Sequence, residues 1–209
     1  MSVLRILTFL VAIAVLCGAT SLAQAQSPAP KNAKDAAKAA PAPAPAAKKP
    51  EPAATAAAGG AEPTLIGQYG TWGAYTATPN GRKVCFALAK PSSSKTNPPN
   101  RPRDPAYAFV STRPAERVFN EVSIMIGYAL KPGSESSLEV GGAAYAMYTQ
   151  GDGLWIKNAA EEEQMVSAMR KSAEVVVKGV SAKGTETTDV FSLKGLSQAL
   201  DRVAQDCKR

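Results

Sequence analysis

The sequence predicts an all-β sandwich domain with two short helices, preceded by an export signal and a disordered linker. Composition changes sharply at Thr64, and residues 64–209 are numerous enough to form one domain around a single core. These residues contain many short apolar segments separated by turn residues, a pattern typical of β-sandwiches. Two other segments repeat their apolar residues at helical spacing instead.

A hairpin opens the predicted domain. The strand-like segments TWGAYTA and RKVCFALA flank TPNG, in which Asn80 and Gly81 both tolerate the positive φ of a tight turn. A polar, proline-rich loop, PSSSKTNPPNRPRDP, follows. Further strands are predicted in AYAFVST, EVSIMIGYALK, SSLEVGG, AAYAMYTQ, GLWIKN, AEVVVKGVSA and TTDVFSL. The second of these is apolar enough to be buried on both faces.

Two segments predict helices. In NAAEEEQMVSAMRKS, Asn158 is suited to cap a helix and Glu161 follows three residues later. Met165 and Met169 lie one turn apart and should face the core. In SLKGLSQALDRVAQDC, Gly195 is expected to pack closely against the sheet. The apolar residues of that segment follow helical spacing: Leu193, Leu196, Leu200 and Val203.

The N-terminus has the layout of a secretory signal. Arg5 precedes an apolar segment, residues 6–16, and a small-residue stretch ends in Ala23-Gln24-Ala25. We therefore expect residues 1–25 to be cleaved and no transmembrane segment to remain. The alternative is an uncleaved anchor, but the apolar segment has about half of the ~20 residues needed to span a bilayer. The expected location is the periplasm or the outer membrane.

Residues 26–63 are dominated by alanine, proline and lysine and contain no aromatic or large aliphatic residue. Such a segment cannot bury enough apolar surface to fold, and its Ala-Pro runs favour extended polyproline II. It is expected to be a tether, a strip that touches anionic cell-wall polymers, or a solubilising tail. The chain's charge of +7 falls to +6 once Arg5 is removed with the signal. That charge does not indicate nucleic-acid binding.

Two cysteines remain after signal cleavage, because Cys17 lies within the signal. Cys85 and Cys207 are predicted to form a structural disulfide, since an exported chain meets an oxidising compartment. Intermolecular pairing, two free thiols and a reactive redox pair are the alternatives. A structural zinc site needs four N or S ligands, and the chain has no histidine. No metal or cofactor is expected.

The sequence resembles the invasion-associated locus B family of alphaproteobacteria. The features that carry the resemblance are the signal, the Ala/Pro/Lys spacer, GTWGAYTA…KVCFALAKP and the closing FSLKGLSQALDRVAQDC. The resemblance implies an exported, immunoglobulin-like β-sandwich in the periplasm or at the outer membrane. The family's name comes from members linked to host-cell invasion, so it also implies a contribution to invasion. It supplies no catalytic residues.

The composition argues against an enzyme. Without histidine, Ser-His-Asp and Cys-His nucleophile systems are excluded. The acidic run Glu161–Glu163 is expected to be a solvated helix start, because acids favour that position. A periplasmic hydrolase or transferase would have to use carboxylates that the sequence does not identify, and it is kept as the alternative function.

The proline-rich loop is the predicted partner-binding site. Lys95, Arg101 and Arg103 lie among four prolines, and Tyr107 follows. A stiffened basic loop suits an anionic partner because less ordering entropy is lost on binding. The expected partners are an envelope or host protein, or a cell-wall polymer; an ordinary solvated connection is the alternative. Trp72 and Trp155 are expected in strand packing, or as a platform on which a ligand stacks.

Overall fold

The computed structural model describes residues 61–208. The predicted signal, residues 1–25, and nearly all of the predicted linker, residues 26–63, lie outside the described residues. Within them the prediction of an all-β domain with two short helices is confirmed. The helices are α1, Glu162–Lys171, and α2, Leu196–Asp206.

The strands form one continuous antiparallel sheet. Along the sheet their order is β1-β2-β3-β5-β6-β9-β8-β7-β10-β11-β4. Their bounds are β1 Thr64–Tyr69, β2 Trp72–Ala77, β3 Val84–Ala89, β4 Ser93–Asn97, β5 Tyr107–Arg113, β6 Val118–Met125, β7 Ser136–Val140, β8 Ala143–Gln150, β9 Gly153–Ile156, β10 Glu174–Val180 and β11 Glu186–Ser192.

The sheet curves until its two ends meet, which produces the sandwich-like arrangement. Trp72 of β2 is fully buried, and its indole nitrogen donates a 2.9 Å hydrogen bond to the carbonyl of Ser192, at the end of β11. β2 and β11 stand near opposite ends of the strand order. The concave face therefore encloses one apolar core with residues from both halves of the sheet, including Val110, Val177 and Phe191.

The predicted hairpin joins β2 to β3. Asn80 and Gly81 both adopt positive φ, 51° and 77°, as the turn chemistry requires. The apolar alternation then places Cys85 and Ala87 on the concave face and Phe86 on the opposite face of β3.

The strands of the structure differ from the predicted ones in three places. β1 and β4 were not predicted, because β4 consists of polar residues and β1 is mostly exposed. The prediction that EVSIMIGYALK is one long strand buried on both faces is wrong. β6 ends at Met125, and only alternate residues are fully buried in its second half. Just beyond, Gly127 has φ 79°, and a side chain there would collide with the carbonyl oxygen of Asp104.

Both helices bury the predicted faces. Met165 and Met169 of α1 are buried, and Asn158 caps the short turn that leads into this helix through a hydrogen bond from the amide of Ala160. In α2 the buried residues are Leu196, Ala199, Leu200 and Val203. Gly195 packs as closely as expected: it has φ 95°, and any Cβ there would overlap the carbonyl of Tyr69.

Cys85 and Cys207 form the predicted disulfide. Their Cα atoms are 6.0 Å apart, and both residues are buried. Because Cys85 lies on β3 and Cys207 follows α2 directly, the bond fastens the C-terminal helix to the sheet.

Candidate ligand-binding cleft

A cleft of about 630 Å³ opens beside the part of the predicted proline-rich loop that remains a loop after β4, residues 98–106, and the name proline-rich loop refers to these residues from here on. Three segments line it: the start of that loop, residues 128–129, and the turn between β10 and β11. The lining residues are Thr96, Pro98, Arg101, Pro102, Arg103, Tyr128, Ala129, Ser181, Ala182, Lys183, Gly184, Thr185 and Thr187.

Strand pairing brings these distant segments together. β4 pairs with β11, with Lys95 opposite Thr188, so the proline-rich loop begins next to the β10–β11 turn. On the other side of the cleft, Leu130 forms a bridge with Ser181, and the amide of Ala182 donates to the carbonyl of Ala129 at 2.9 Å. The cleft walls are therefore fixed by backbone hydrogen bonds.

A buried ion pair holds the loop from beneath. The guanidinium of Arg103 binds both carboxylate oxygens of Asp189 on β11, one of them at 2.8 Å. Asp189 is fully buried and also accepts a 2.6 Å hydrogen bond from the hydroxyl of Ser94. This bonding to the carboxylate raises the pKa of Arg103 above its ordinary value, against the opposing effect of burial. Asp189 thus compensates the charge of Arg103 internally.

The cleft floor also contains two hydroxyl groups. Those of Tyr128 and Thr187 lie 2.6 Å apart, and the Arg103 guanidinium lies 6.0 Å from the centre of the Tyr128 ring. Burial raises the pKa of Tyr128 above its ordinary value, so its hydroxyl stays protonated at neutral pH. The floor is therefore uncharged apart from the compensated Arg103.

The rim is cationic. Arg101 and Lys183 are exposed, and within residues 61–208 neither forms an ion pair. The described lining contains no aspartate or glutamate. Two accessible positive charges can hold an anionic group by charge-assisted hydrogen bonds.

The structure brings together two of the four residues predicted as the partner-binding loop. Arg101 and Arg103 line the cleft, but Arg103 is engaged with Asp189. Lys95 is exposed on β4 outside the cleft lining, and Tyr107 is buried in β5 on the convex face. Whether the loop binds a partner stays a prediction.

Sequence reasoning missed Lys183, Tyr128 and Thr187. Only the turn-forming segment SAKGTE, with its lysine at the tip, gave a signal for one of them. Their position beside Arg101 depends on the pairing of β4 with β11, two strands separated by almost 90 residues of sequence.

The two tryptophans have different surroundings. Trp72 is a core residue, as its hydrogen bond to Ser192 shows. Trp155 on β9 stacks on Tyr148 of β8 with ring centres 5.7 Å apart, and Tyr148 is 46% exposed. This stacked pair is cross-strand packing at the surface of the sheet.

The acidic run at the start of α1 is only partly solvated. Glu163 is exposed as expected, but the carboxylate of Glu162 accepts a 2.8 Å hydrogen bond from the amide of Val122 on β6. Burial raises the pKa of Glu162 above its ordinary value. Its contact fastens α1 to the sheet. Within residues 61–208, no three His, Cys, Asp or Glu side chains are grouped to hold a metal ion.

One family model matches most of the described chain. A family model described as "Invasion associated locus B (IalB) protein" matches residues 72–204. The crystal structure of invasion associated protein B from Bartonella henselae is similar, with 19% sequence identity and a TM-score of 0.49. That similarity covers 68% of this chain and 96% of the Bartonella chain. No curated protein matches. Among the described helices, none has the length and apolar character to cross a membrane.

Proposed function

Since the chain belongs to the invasion associated locus B family, we propose that it is an exported, non-enzymatic envelope protein whose β-domain binds an anionic partner. Its location is the periplasm or the outer membrane, and residues 26–63 tether the domain to the envelope. The signal-like residues 1–25 and the Ala/Pro/Lys composition of the following segment support export and tethering.

The cationic rim of the cleft is the observation that carries the binding proposal. Arg101 and Lys183 come from two different segments and line the same cleft, which has a volume of about 630 Å³. Such a volume is within the ordinary range of ligand sites. The ion pair beneath the loop and the backbone bonds of the opposite wall fix both segments in advance, so little ordering entropy is lost on binding.

The partner that this geometry fits is an acidic segment of an envelope or host protein. Two exposed cations can pair with carboxylates of an extended chain, and the attraction should weaken as salt rises. A cell-wall polymer with acidic groups shares part of this chemistry and is the competing outcome. The family's name adds a contribution to host-cell invasion to the proposal.

The alternative, a periplasmic hydrolase or transferase, has no observation in its favour. It would need carboxylates placed for acid–base work beside a cleft. The one buried acid next to the cleft, Asp189, is engaged by Arg103 and Ser94, and Glu162 is engaged by the backbone of β6. We assign both acids structural roles.

The test is cross-linking in intact cells followed by mass spectrometry of the joined proteins. The Arg101→Glu/Lys183→Glu variant should lose most of the recovered partner without a lower melting temperature. The matched control is Lys157→Glu/Lys171→Glu, which makes the same change in net charge at exposed positions outside the cleft. Equal recovery from both variants would contradict the proposed site, and recovery of wall fragments alone would replace the protein partner by a polymer.

A further inference from the structure

Four of the hydroxyl groups that line the cleft already have partners within the domain. The hydroxyl of Thr96 accepts a 3.2 Å hydrogen bond from the amide of Arg101. That of Ser181 accepts a 3.0 Å hydrogen bond from the amide of Thr185. The two hydroxyls of the floor lie 2.6 Å apart and bond to each other. A ligand rich in hydroxyl groups would therefore compete with bonds that the domain makes internally.

The cleft also presents apolar groups. Pro98 and Pro102 lie in the wall formed by the proline-rich loop, and both are exposed. Ala129 and Ala182 of the other wall are exposed too, and a 2.9 Å hydrogen bond from the amide of Ala182 to the carbonyl of Ala129 holds them side by side. Because the hydroxyl of Tyr128 is bonded within the floor, its remaining contribution to the lining is its ring. Single exposed apolar residues are ordinary on a protein surface, but a concave group of them is typical of a ligand site.

Apolar and cationic groups share this one lining. Arg101 and Lys183 are exposed, and the described lining contains no aspartate or glutamate. A ligand with carboxylates alone would leave the apolar groups in water, and a purely apolar ligand would leave the two cations unmatched. Full use of the cleft therefore requires an occupant that has an acidic group and an apolar group close together.

We propose that the cleft recognises a peptide segment in which apolar side chains lie next to acidic side chains. This inference rests on the proposed function and specifies the partner. Its carboxylates pair with Arg101 and Lys183, and a leucine-sized side chain packs against the prolines, the alanines and the ring of Tyr128. Burial of such a side chain should raise the affinity about tenfold over that of an acidic segment without apolar residues. A wall polymer that carries acidic groups alone lacks the second half of this match.

The test uses the purified chain and three fluorescently labelled hexapeptides with blocked termini. In the first peptide leucine alternates with glutamate, in the second serine replaces every leucine, and in the third glutamine replaces every glutamate. Fluorescence anisotropy measures the three dissociation constants. The leucine–glutamate peptide should bind about tenfold more tightly than the serine–glutamate peptide. The leucine–glutamine peptide should bind more weakly than the leucine–glutamate peptide, because it has no charge for Arg101 and Lys183.

Salt separates the apolar contribution from the ionic one. The two glutamate peptides have the same charge, so higher salt should weaken both by the same factor and leave the ratio of their affinities unchanged. Equal affinity for these two peptides would overturn the inference while leaving a cleft for anionic partners in place. If neither of them bound, the inference and the proposed function of the cleft would fail together.

A variant of the apolar wall tests whether the preference for leucine arises in the cleft. Ala129→Gln/Ala182→Gln places polar side chains on that wall, so it should abolish the preference for leucine and leave the affinity for the serine–glutamate peptide unchanged. The matched control is Ala144→Gln/Ala146→Gln, which makes the same substitutions at exposed alanines of β8 outside the cleft. Both variants should melt at the temperature of the wild type. A preference for leucine that persisted in the wall variant would contradict the assigned contact.

Discussion

Two segments of this domain are fastened to the same curved sheet by different means. α2 is held by the Cys85–Cys207 disulfide and by a face of buried apolar residues such as Leu196 and Leu200. The proline-rich loop is held by polar contacts, namely the buried ion pair of Arg103 with Asp189 and a 3.0 Å hydrogen bond from the amide of Asp104 to the carbonyl of Gly127. The first attachment is covalent and largely apolar, whereas the second consists of an ion pair and hydrogen bonds.

The difference shows what each segment is free to do. α2 presents its apolar face to the core, so its attachment serves stability. The proline-rich loop is fixed from below at Arg103 and Asp104, and the nearby side chain of Arg101 remains exposed. Contacts on its buried side can keep such a segment rigid while its other side stays accessible.

Breaking the covalent attachment should have the largest effect on stability. Cys207→Ser is expected to lower the free energy of unfolding by up to about 5 kcal/mol, because the bond closes a loop with a sequence separation of 122 residues. Urea unfolding of the variant and of the wild type, each with and without reductant, measures this. The reduced wild type should match the variant. Equal stability of the wild type with and without reductant would show that the disulfide contributes nothing.

Breaking the ion pair should lower the free energy of unfolding somewhat less, by about 3 kcal/mol. Asp189→Ala leaves the guanidinium of Arg103 without its carboxylate in a site where Asp189 is fully buried. The double variant Arg103→Met/Asp189→Leu should recover most of that loss, since no uncompensated charge remains. Asp201→Ala removes the exposed partner of Arg170 and is the control, expected to cost less than about 1 kcal/mol. A loss at Asp189 no larger than this control would refute the anchor.

The smallest effect is expected at the attachment of α1. Glu162→Ala should lower the free energy of unfolding by about 1 kcal/mol, because the amide of Val122 loses its acceptor. The raised pKa means that the folded state binds the proton more tightly than the unfolded state does. The contribution of Glu162 to stability therefore falls as pH rises from the ordinary glutamate pKa through the raised value.

Glu162→Gln separates the hydrogen bond from the charge. It keeps an acceptor for Val122 and removes the titration, so it should reduce the fall in unfolding free energy across that pH interval. Urea unfolding at a series of pH values measures the slope, with the exposed neighbour Glu163→Gln as control. Identical slopes for both variants would show that burial does not perturb Glu162.

Local sequence signals made the β2–β3 hairpin, the helices and the disulfide predictable. The β2–β3 hairpin follows from Asn80-Gly81, the helix faces follow from apolar spacing, and export leaves two cysteines that can pair. Each of these inferences needs residues that are close in sequence or a choice among very few partners. The disulfide position was therefore accessible before the structure was known.

The cleft depends on contacts that leave no local signal. β4 consists of Ser, Lys, Thr and Asn residues and becomes a strand only because β11 supplies its partner. Without that pairing nothing places Lys183 beside Arg101. Tyr107 was predicted at the partner-binding loop because it lies near Arg103 in sequence. The alternation of side chains along β5 instead places it on the convex face.

The disulfide also determines how the domain would carry a mechanical load. It closes a covalent ring from residue 85 to residue 207, and all the cleft residues, from Thr96 to Thr187, lie within that ring. A pull on the chain ahead of Thr64, resisted by a partner held in the cleft, enters the ring at Cys85. From Cys85 the force follows two covalent paths. One path runs forward along the chain through β3, and the other crosses the disulfide to Cys207 and runs back through α2. Neither path alone bears the full tension. Among the strands of residues 61–208, β1 and β2 are the ones outside the ring, and they can separate from the sheet without loading it.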